Sequence, residues 1–137
     1  ALDFAIEHNL RHGGWCPQGR RAEDGPLEEV YRLQETPSEN YEERTEWNIR
    51  DSHGTVIFSI EEFVTGGTLH TLQMAKKIKK PTIHLFKTSQ IDFASQLKKF
   101  IVDHGIIKLN VAGPRESKEP QIYSFVWSVL AQLFIDV

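Results

Sequence analysis

Apolar, β-branched runs alternate with helical segments through most of the chain, and this alternation constrains the fold more than any other feature. Residues 54–60, 82–86 and 106–111 form three such runs, each bounded by polar residues or a turn. Continuous apolar runs of this length are typical of strands covered on both faces. Because they alternate with helices, we predict an α/β, doubly wound, Rossmann-like fold whose mainly parallel sheet carries helices on both faces.

Helical patterns occupy the intervals between the strands and both ends of the chain. We predict helices over residues 2–10, 41–50, 69–80, 93–101 and 122–134. Residues 16–40 are rich in Pro, Gly, Glu and Arg and show no convincing period, so we predict a long ordered loop there. Loops of that length inside compact domains are uncommon and are often functional.

A glycine turn joins the first apolar run to the helix after it, at the edge of the sheet where open parallel sheets bind ligands. Gly66 and Gly67 lie between Thr65 and Thr68. Glycine lets a ligand approach the main chain closely, and the amides of a helix N-terminus favour anions. We therefore predict that these four residues hold an oxyanion and that Ser59 lines the same edge. A tight turn in which Thr65 only caps the helix is the alternative.

Two further groups can reach the same edge of the sheet. Gly113 and Arg115 follow the last predicted strand, and a guanidinium can form paired hydrogen bonds with phosphate or carboxylate. An ordinary turn explains those residues equally well. Arg44 and Asn48 lie four residues apart on one helix face and could also reach a ligand, although an exposed polar face is the simpler explanation.

The long loop contributes a third group of candidates, because Arg20, Arg21, Glu23 and Asp24 crowd beside glycines. A solvated cluster of charges that pair with one another is the plain explanation. Glycines at both ends of the cluster favour a loop of defined shape. We therefore include Arg20, Arg21 and Asp24 among the candidate ligand-binding residues.

Histidines and the single cysteine suggest a metal site only weakly. His8, His12 and Cys16 recur every four residues, a spacing that would place them on one helix face. The glycines before Cys16 are expected to break the helix, so we predict no metal site. The other histidines have no partner of known geometry, and among them His70 lies nearest to the glycine turn.

Composition narrows the class of protein. The 137 residues fit one Rossmann-like domain over residues 1–137, and the net charge of −3 argues against a nucleic-acid partner. The basic cluster at residues 76–80 lies at a predicted helix C-terminus, where cations complement the helix dipole. A single cysteine indicates a reducing compartment, so we expect the cytoplasm, and no apolar run is long enough to span a membrane.

Several groups of residues, spread over most of the chain, carry a family resemblance. They are residues 13–25, Glu35-Thr36-Pro37, Tyr41, Arg44-Thr45, Trp47-Asn48, Asp51-Ser52, residues 65–68 and residues 109–115. Together they resemble the family of putative molybdenum carriers. That family is similar to a wider Rossmann-like group, which contains cytokinin-activating phosphoribohydrolases and nucleotide-ligand sensor domains.

The resemblance implies a doubly wound sheet, frequent homo-oligomers and a site for a phosphate compound, with molybdenum cofactor or a nucleotide as the ligand. It also implies that the family's first strand and its Gly-Gly-x-Thr-Gly-x-Asp-Arg loop would precede Ala1. The related hydrolases carry a glutamate just after their glycine turn, whereas residues 68–73 of this chain contain none. That departure argues against phosphoribohydrolase activity.

These observations favour a carrier or sensor that binds a phosphorylated, nucleotide-like small molecule. The alternative is a hydrolase of nucleotide N-glycosidic or phosphate bonds. In that enzyme Arg44 or Arg115 would bind the phosphate, and Asp24 or Glu23 would act as acid or base. A structural subunit with empty glycine turns is a third possibility.

Overall fold

The computed structural model describes residues 1–20, 22, 25–28 and 31–134. In chain order its elements are α1 (Leu2–Glu7), β1 (Trp15–Cys16), β2 (Gln34–Glu35), α2 (Tyr41–Arg50), β3 (Gly54–Ser59), α3 (Gly66–Ile78), β4 (Thr82–Phe86), α4 (Phe93–Asp103), β5 (Leu109–Ala112) and α5 (Ile122–Phe134). None of these helices is both long and apolar enough to cross a membrane.

Strand β3 is the centre of a three-stranded parallel sheet in the order β4-β3-β5. Val56 is the register partner of Ile83 in β4 and of Val111 in β5. Because the three strands run in the same direction, their carboxyl ends meet at one edge of the sheet. The predicted parallel α/β arrangement is confirmed.

The two faces of β3 are both covered, which explains why its sequence is apolar throughout. Val56 and Phe58 belong to the main hydrophobic core, where Phe58 meets Phe125 of α5 edge to face at 5.6 Å. Alternate residues of a strand point to opposite faces, so Ile57 faces the side covered by α3, against which α2 packs. Helices on both faces of a parallel sheet make the fold doubly wound and Rossmann-like, as predicted.

Some predicted boundaries shift for local reasons. Helix α1 ends at Glu7 rather than near residue 10, and Asn9 adopts a φ of 55°. Strand β5 begins at Leu109 rather than residue 106, because the amides of Ile107 and Lys108 donate to Nδ1 of His53 instead of joining the ladder. Helix α3 begins earlier than predicted, at Gly66.

The long ordered loop predicted over residues 16–40 contains short strand residues that the prediction did not include. Strands β1 and β2 form a small parallel sheet of their own, in which Trp15 is the partner of Gln34 and Cys16 the partner of Glu35. Each strand is only two residues long, too short for a periodic pattern to reveal it. The pairing holds the two ends of the loop together.

Candidate functional site

A cleft of about 780 Å³ opens at the carboxyl edge of the three-stranded sheet. Its walls are the first turns of α2 and α3 and the segment that follows β5. Several of the sequence-predicted site residues line it together: Arg44, Thr65, Gly66, Gly67, Thr68, Gly113 and Arg115. The structure thus gathers residues that are up to 71 positions apart, counted from Arg44 to Arg115, around one space.

The N-terminus of α3 forms one wall, and its backbone is open to the cleft. Gly66 has a φ of 57°, a conformation that side chains disfavour, and a Cβ added at Gly67 would meet nothing within 4 Å. Thr65 occupies the N-cap position but makes no capping hydrogen bond through its side chain. The first amides of α3 therefore keep the positive potential that favours an anion at a helix N-terminus.

Two guanidinium groups meet at the ring of Tyr41, at the start of α2. The Cζ atoms of Arg44 and Arg115 each lie 5.2 Å from the centre of that ring. Burial lowers the pKa of Arg44 from its ordinary value, and the positive charge of Arg115 lowers it further. Two like charges beside the same ring favour an anion between or beside them.

No carboxylate forms an ion pair with either guanidinium within the part of the chain that the structure describes. The ion pairs found there lie elsewhere, at Arg50–Asp51 and Lys99–Asp103. Glu119 lines the cleft, but one of its carboxylate oxygens accepts the amide proton of Ile60 at 3.0 Å. Glu42 also lines the cleft, but it forms no ion pair with Arg44 or Arg115 among the described residues, so both guanidinium charges are left unpaired there.

Lys118 adds a cation that the sequence analysis missed. Its Nζ lies 3.9 Å from the point that a Cβ on Gly66 would occupy, beside the N-terminus of α3. A cation there is opposed by the helix dipole unless an anion joins them. The sequence carried a signal, because Lys118 follows Arg115 by three residues in the same turn, where its amide donates to the Arg115 carbonyl at 3.0 Å.

Gly113 has a packing role that explains why only glycine suits the position. A Cβ on this residue would lie 2.8 Å from the carbonyl oxygen of Phe58, near the end of β3. That contact is with backbone, which cannot swing aside as a flexible side chain can. The absence of a side chain therefore allows the segment that carries Arg115 to cross close to the end of β3.

His70 also lines the cleft, one turn after the glycines. Its Nε2 is the buried side-chain nitrogen that has no hydrogen-bond partner among the described residues. Most buried polar atoms in folded proteins are paired, so an unpaired one calls for an explanation.

Two other predicted residues, Ser59 and Asn48, lie outside the lining of this cleft. Ser59 is fully buried, donates to the carbonyl of Glu61 at 2.6 Å and lies 2.7 Å from Nε2 of His84. Asn48 accepts the amide proton of Trp15 at 2.7 Å and donates to the Trp15 carbonyl at 3.1 Å, which ties β1 to α2.

Arg20 is committed to the loop that contains it. Its guanidinium donates to backbone carbonyls at distances from 2.6 to 3.3 Å, those of Leu27, Glu28, Tyr31 and Leu33. These bonds engage Nε and both terminal nitrogens of the guanidinium. The other candidates from this loop, Arg21, Glu23 and Asp24, lie outside the described residues.

The donor set of the cleft suits an oxyanion rather than a metal ion. Among the described residues, no cluster of three or more His, Cys, Asp and Glu side chains could hold a metal. Backbone amides, guanidinium groups and an ammonium group are donors that recognise phosphate oxygens. Cys16 lies in β1 and is buried, away from the helical spacing that linked it to His8 and His12.

The fold and the position of the cleft define a Rossmann-like protein with a candidate site at the carboxyl edge of its sheet. A model of the circularly permutated YpsA SLOG family matches residues 1–134, so the chain belongs to that family. No curated protein matches it.

A solved structure from Syntrophus aciditrophicus SB, described as a putative molybdenum carrier protein, is also similar. It is 41% identical, with a TM-score of 0.94 over 98% of this chain and 85% of that one. The resemblance seen in the sequence is thereby confirmed.

Proposed function

We propose that this chain is a carrier or binding protein for a phosphorylated, nucleotide-like small molecule, with molybdenum cofactor as its cargo. One observation carries the proposal: Arg44, Arg115 and Lys118 converge with the open N-terminus of α3 on one cleft, without an ion pair to a described carboxylate. The description of the similar structure as a molybdenum carrier supports the choice of cargo.

The size and chemistry of the cleft support a ligand larger than a simple ion. Its volume of about 780 Å³ lies within the range of small-molecule sites, roughly 300–1,000 Å³. The cations and amides would hold the phosphate of the cargo. The remaining volume would accept its organic part beside Tyr41. The described residues would thus bind the cofactor through its phosphate and not through the metal.

Each of the lining residues has a separate proposed role. The amides of Gly66, Gly67 and Thr68 would donate to the phosphate oxygens, since they belong to the first turn of α3. Arg115 would form paired hydrogen bonds with the same group, and Arg44 would supply charge from a half-buried position. Ser59, Asn48 and Arg20 have no proposed ligand contact, because their hydrogen-bonding groups are occupied.

The sharpest test compares Gly67→Asp with Gly67→Asn. A Cβ at this position meets nothing within 4 Å, and the two side chains have nearly the same size but differ in charge. We expect Gly67→Asp to weaken AMP binding at least ~100-fold in titration calorimetry, because a carboxylate then lies where the phosphate binds. Gly67→Asn should weaken it much less. An acidic residue in the first helical turn is itself favourable, so the Asp variant should remain folded.

The first experiment measures ligand binding to the wild-type protein by calorimetry. AMP, inorganic phosphate and molybdate are suitable probes, since each presents oxyanion oxygens to the cleft. Binding of AMP that Gly67→Asp abolishes supports the proposal, whereas absence of heat with all three probes contradicts it. Incubation with AMP, followed by chromatography, separates binding from hydrolysis. Intact AMP supports a carrier, and release of adenine, ribose phosphate or free phosphate supports the hydrolase alternative.

A further inference from the structure

The imidazole of His70 lines the cleft and has a buried nitrogen without a hydrogen-bond partner among the described residues. Among the described side chains, its Nε2 is the buried nitrogen or oxygen that lacks a hydrogen-bond partner. Leaving a buried polar atom unpaired destabilises the folded state, because the atom loses its bonds to water without replacement. The unpaired Nε2 of His70 is explained most directly if this nitrogen gains a hydrogen-bond partner in the ligand-bound protein.

The position of His70 on α3 indicates what that partner is. It follows Gly66 by four residues and Gly67 by three. Helical side chains lean toward the N-terminus and cover the preceding turn, and here that turn is bare because both residues are glycines. The imidazole therefore leans toward the amides that face the cleft, where an anion at the N-terminus of α3 would lie.

We propose that His70 is a ligand-binding residue, an inference that rests on the proposed function of the cleft. When an oxyanion occupies the N-terminus of α3, the imidazole rotates about its Cβ–Cγ bond. Its Nε2–H then donates to an oxygen of that anion. Arg44, Arg115 and Lys118 supply positive charge, and His70 supplies a directed hydrogen bond. The same bond gives Nε2 of His70 the partner that it lacks in the free protein.

This arrangement predicts opposite effects on stability and on binding. An apolar side chain of similar size would remove the unpaired nitrogen from the free protein, so it would leave stability unchanged or raise it. The same change would delete a hydrogen bond from the complex. A histidine with a purely structural role would instead show loss of stability together with any loss of binding.

The experiment compares His70→Leu with His70→Gln, whose amide nitrogen can replace Nε2 as donor. Thermal unfolding measures each free protein, and calorimetry measures binding of inorganic phosphate and of AMP. We expect His70→Leu to unfold at or above the wild-type temperature and to bind both probes about tenfold more weakly. His70→Gln should bind within about threefold of the wild type.

Nuclear magnetic resonance of the histidine nitrogens provides an independent readout. Added phosphate should shift the Nε2 resonance of His70. The Nε2 resonance of His84 should stay in place because that atom already contacts Ser59 at 2.7 Å. An unmoved His70 resonance in phosphate-bound wild-type protein would overturn the inference.

The outcomes separate this inference from the proposed function. If wild-type protein binds AMP or phosphate and His70→Leu binds equally well, only the role of His70 fails. Lower stability in both variants, together with weaker binding in both, would also overturn it and make His70 structural. If the wild-type protein binds neither probe, the proposed function itself fails.

Discussion

Two regions of this protein are rich in arginine and glycine, yet they use the arginines in opposite ways. In the loop between β1 and β2, the Arg20 guanidinium donates to the carbonyls of Leu27, Glu28, Tyr31 and Leu33. In the cleft, Arg44 and Arg115 meet at the ring of Tyr41 without a described carboxylate to pair with them.

Residue type alone therefore does not identify an anion site. The Arg20 guanidinium contributes to stability, because the backbone carbonyls to which it donates would lose a partner if it were removed. A guanidinium that lies near another cation without a counterion is available to a ligand. We therefore expect substitutions in the loop to lower stability and substitutions in the cleft to weaken ligand binding.

The largest effect is expected for Arg20→Met, which keeps the aliphatic stem and removes the donors. The free energy of unfolding should fall by about 3 kcal/mol, since backbone carbonyls in the loop lose their partner. Binding of AMP should remain within twofold of the wild type, roughly. Denaturant unfolding and calorimetry measure the two quantities, and Arg11→Met, at an exposed position, is the matched control. Lost AMP binding at full stability would place Arg20 in the site.

Arg115→Gln should show the reverse pattern. We expect about tenfold weaker AMP binding, because a charged donor to the phosphate is removed. Stability of the free protein should be unchanged or higher, since Arg44 loses a neighbour of like charge. Lys98→Gln removes an exposed cation on α4 and should change neither quantity. A marked drop in stability without weaker binding would contradict the comparison.

Asn48 lies between the two regions. It belongs to α2, as Arg44 does, but its side chain forms hydrogen bonds with the backbone of Trp15 in β1. Asn48→Ala should lower the free energy of unfolding by about 2 kcal/mol, since the amide and carbonyl of Trp15 both lose a partner. The fluorescence of Trp15, which packs edge to face on Trp47 at 4.7 Å, reports the release of β1. Unchanged AMP affinity would confirm the structural role, and a tenfold loss, roughly, would refute it.

The smallest effect is expected for Asp51, which forms an ion pair with Arg50 outside the cleft. Hydrogen bonds from Arg50 and from the Trp15 indole lower the pKa of Asp51 to about 2. A depressed carboxyl pKa stabilises the fold above the unfolded value, near 3.9, and that contribution disappears as the pH falls toward about 2. Solvent screening keeps it small at this exposed pair.

The measurement for Asp51 is thermal unfolding of the wild type and of Asp51→Asn over the acidic range. The two unfolding temperatures should differ slightly near neutral pH and converge at the lowest pH. AMP affinity at neutral pH should be the same in both, because a paired arginine outside the cleft has no ligand to hold. A difference that grows as the pH falls would contradict the assignment.

The fold could be predicted from the sequence because the informative patterns are local. The apolar run that became β3 and the amphipathic pattern of α5 are each contained in fewer than twenty residues. The parallel direction of the strands could be predicted from their alternation with helices. The pair of short strands β1 and β2 could not be predicted, because two residues show no period.

The candidate site could be predicted only in part. Glycines and arginines after strands indicated the carboxyl edge of the sheet, and the structure brings Thr65, Gly66, Gly67, Thr68 and Arg115 together there. Lys118 was missed, and nothing in the sequence showed that Arg20 donates to carbonyls up to 13 residues away. Whether a polar side chain is free depends on neighbours that the fold supplies.

From the sequence alone, the class of fold and the edge of the sheet that carries the cleft could be predicted. Hydrophobic periodicity and turn-forming residues are properties of short segments, and they specify both. Only the folded structure shows which cations line the cleft, which donate to backbone carbonyls instead, and that the buried Nε2 of His70 has no partner among the described residues. Hydrogen bonding and burial decide these roles, and both depend on residues that are distant in the chain and close in space.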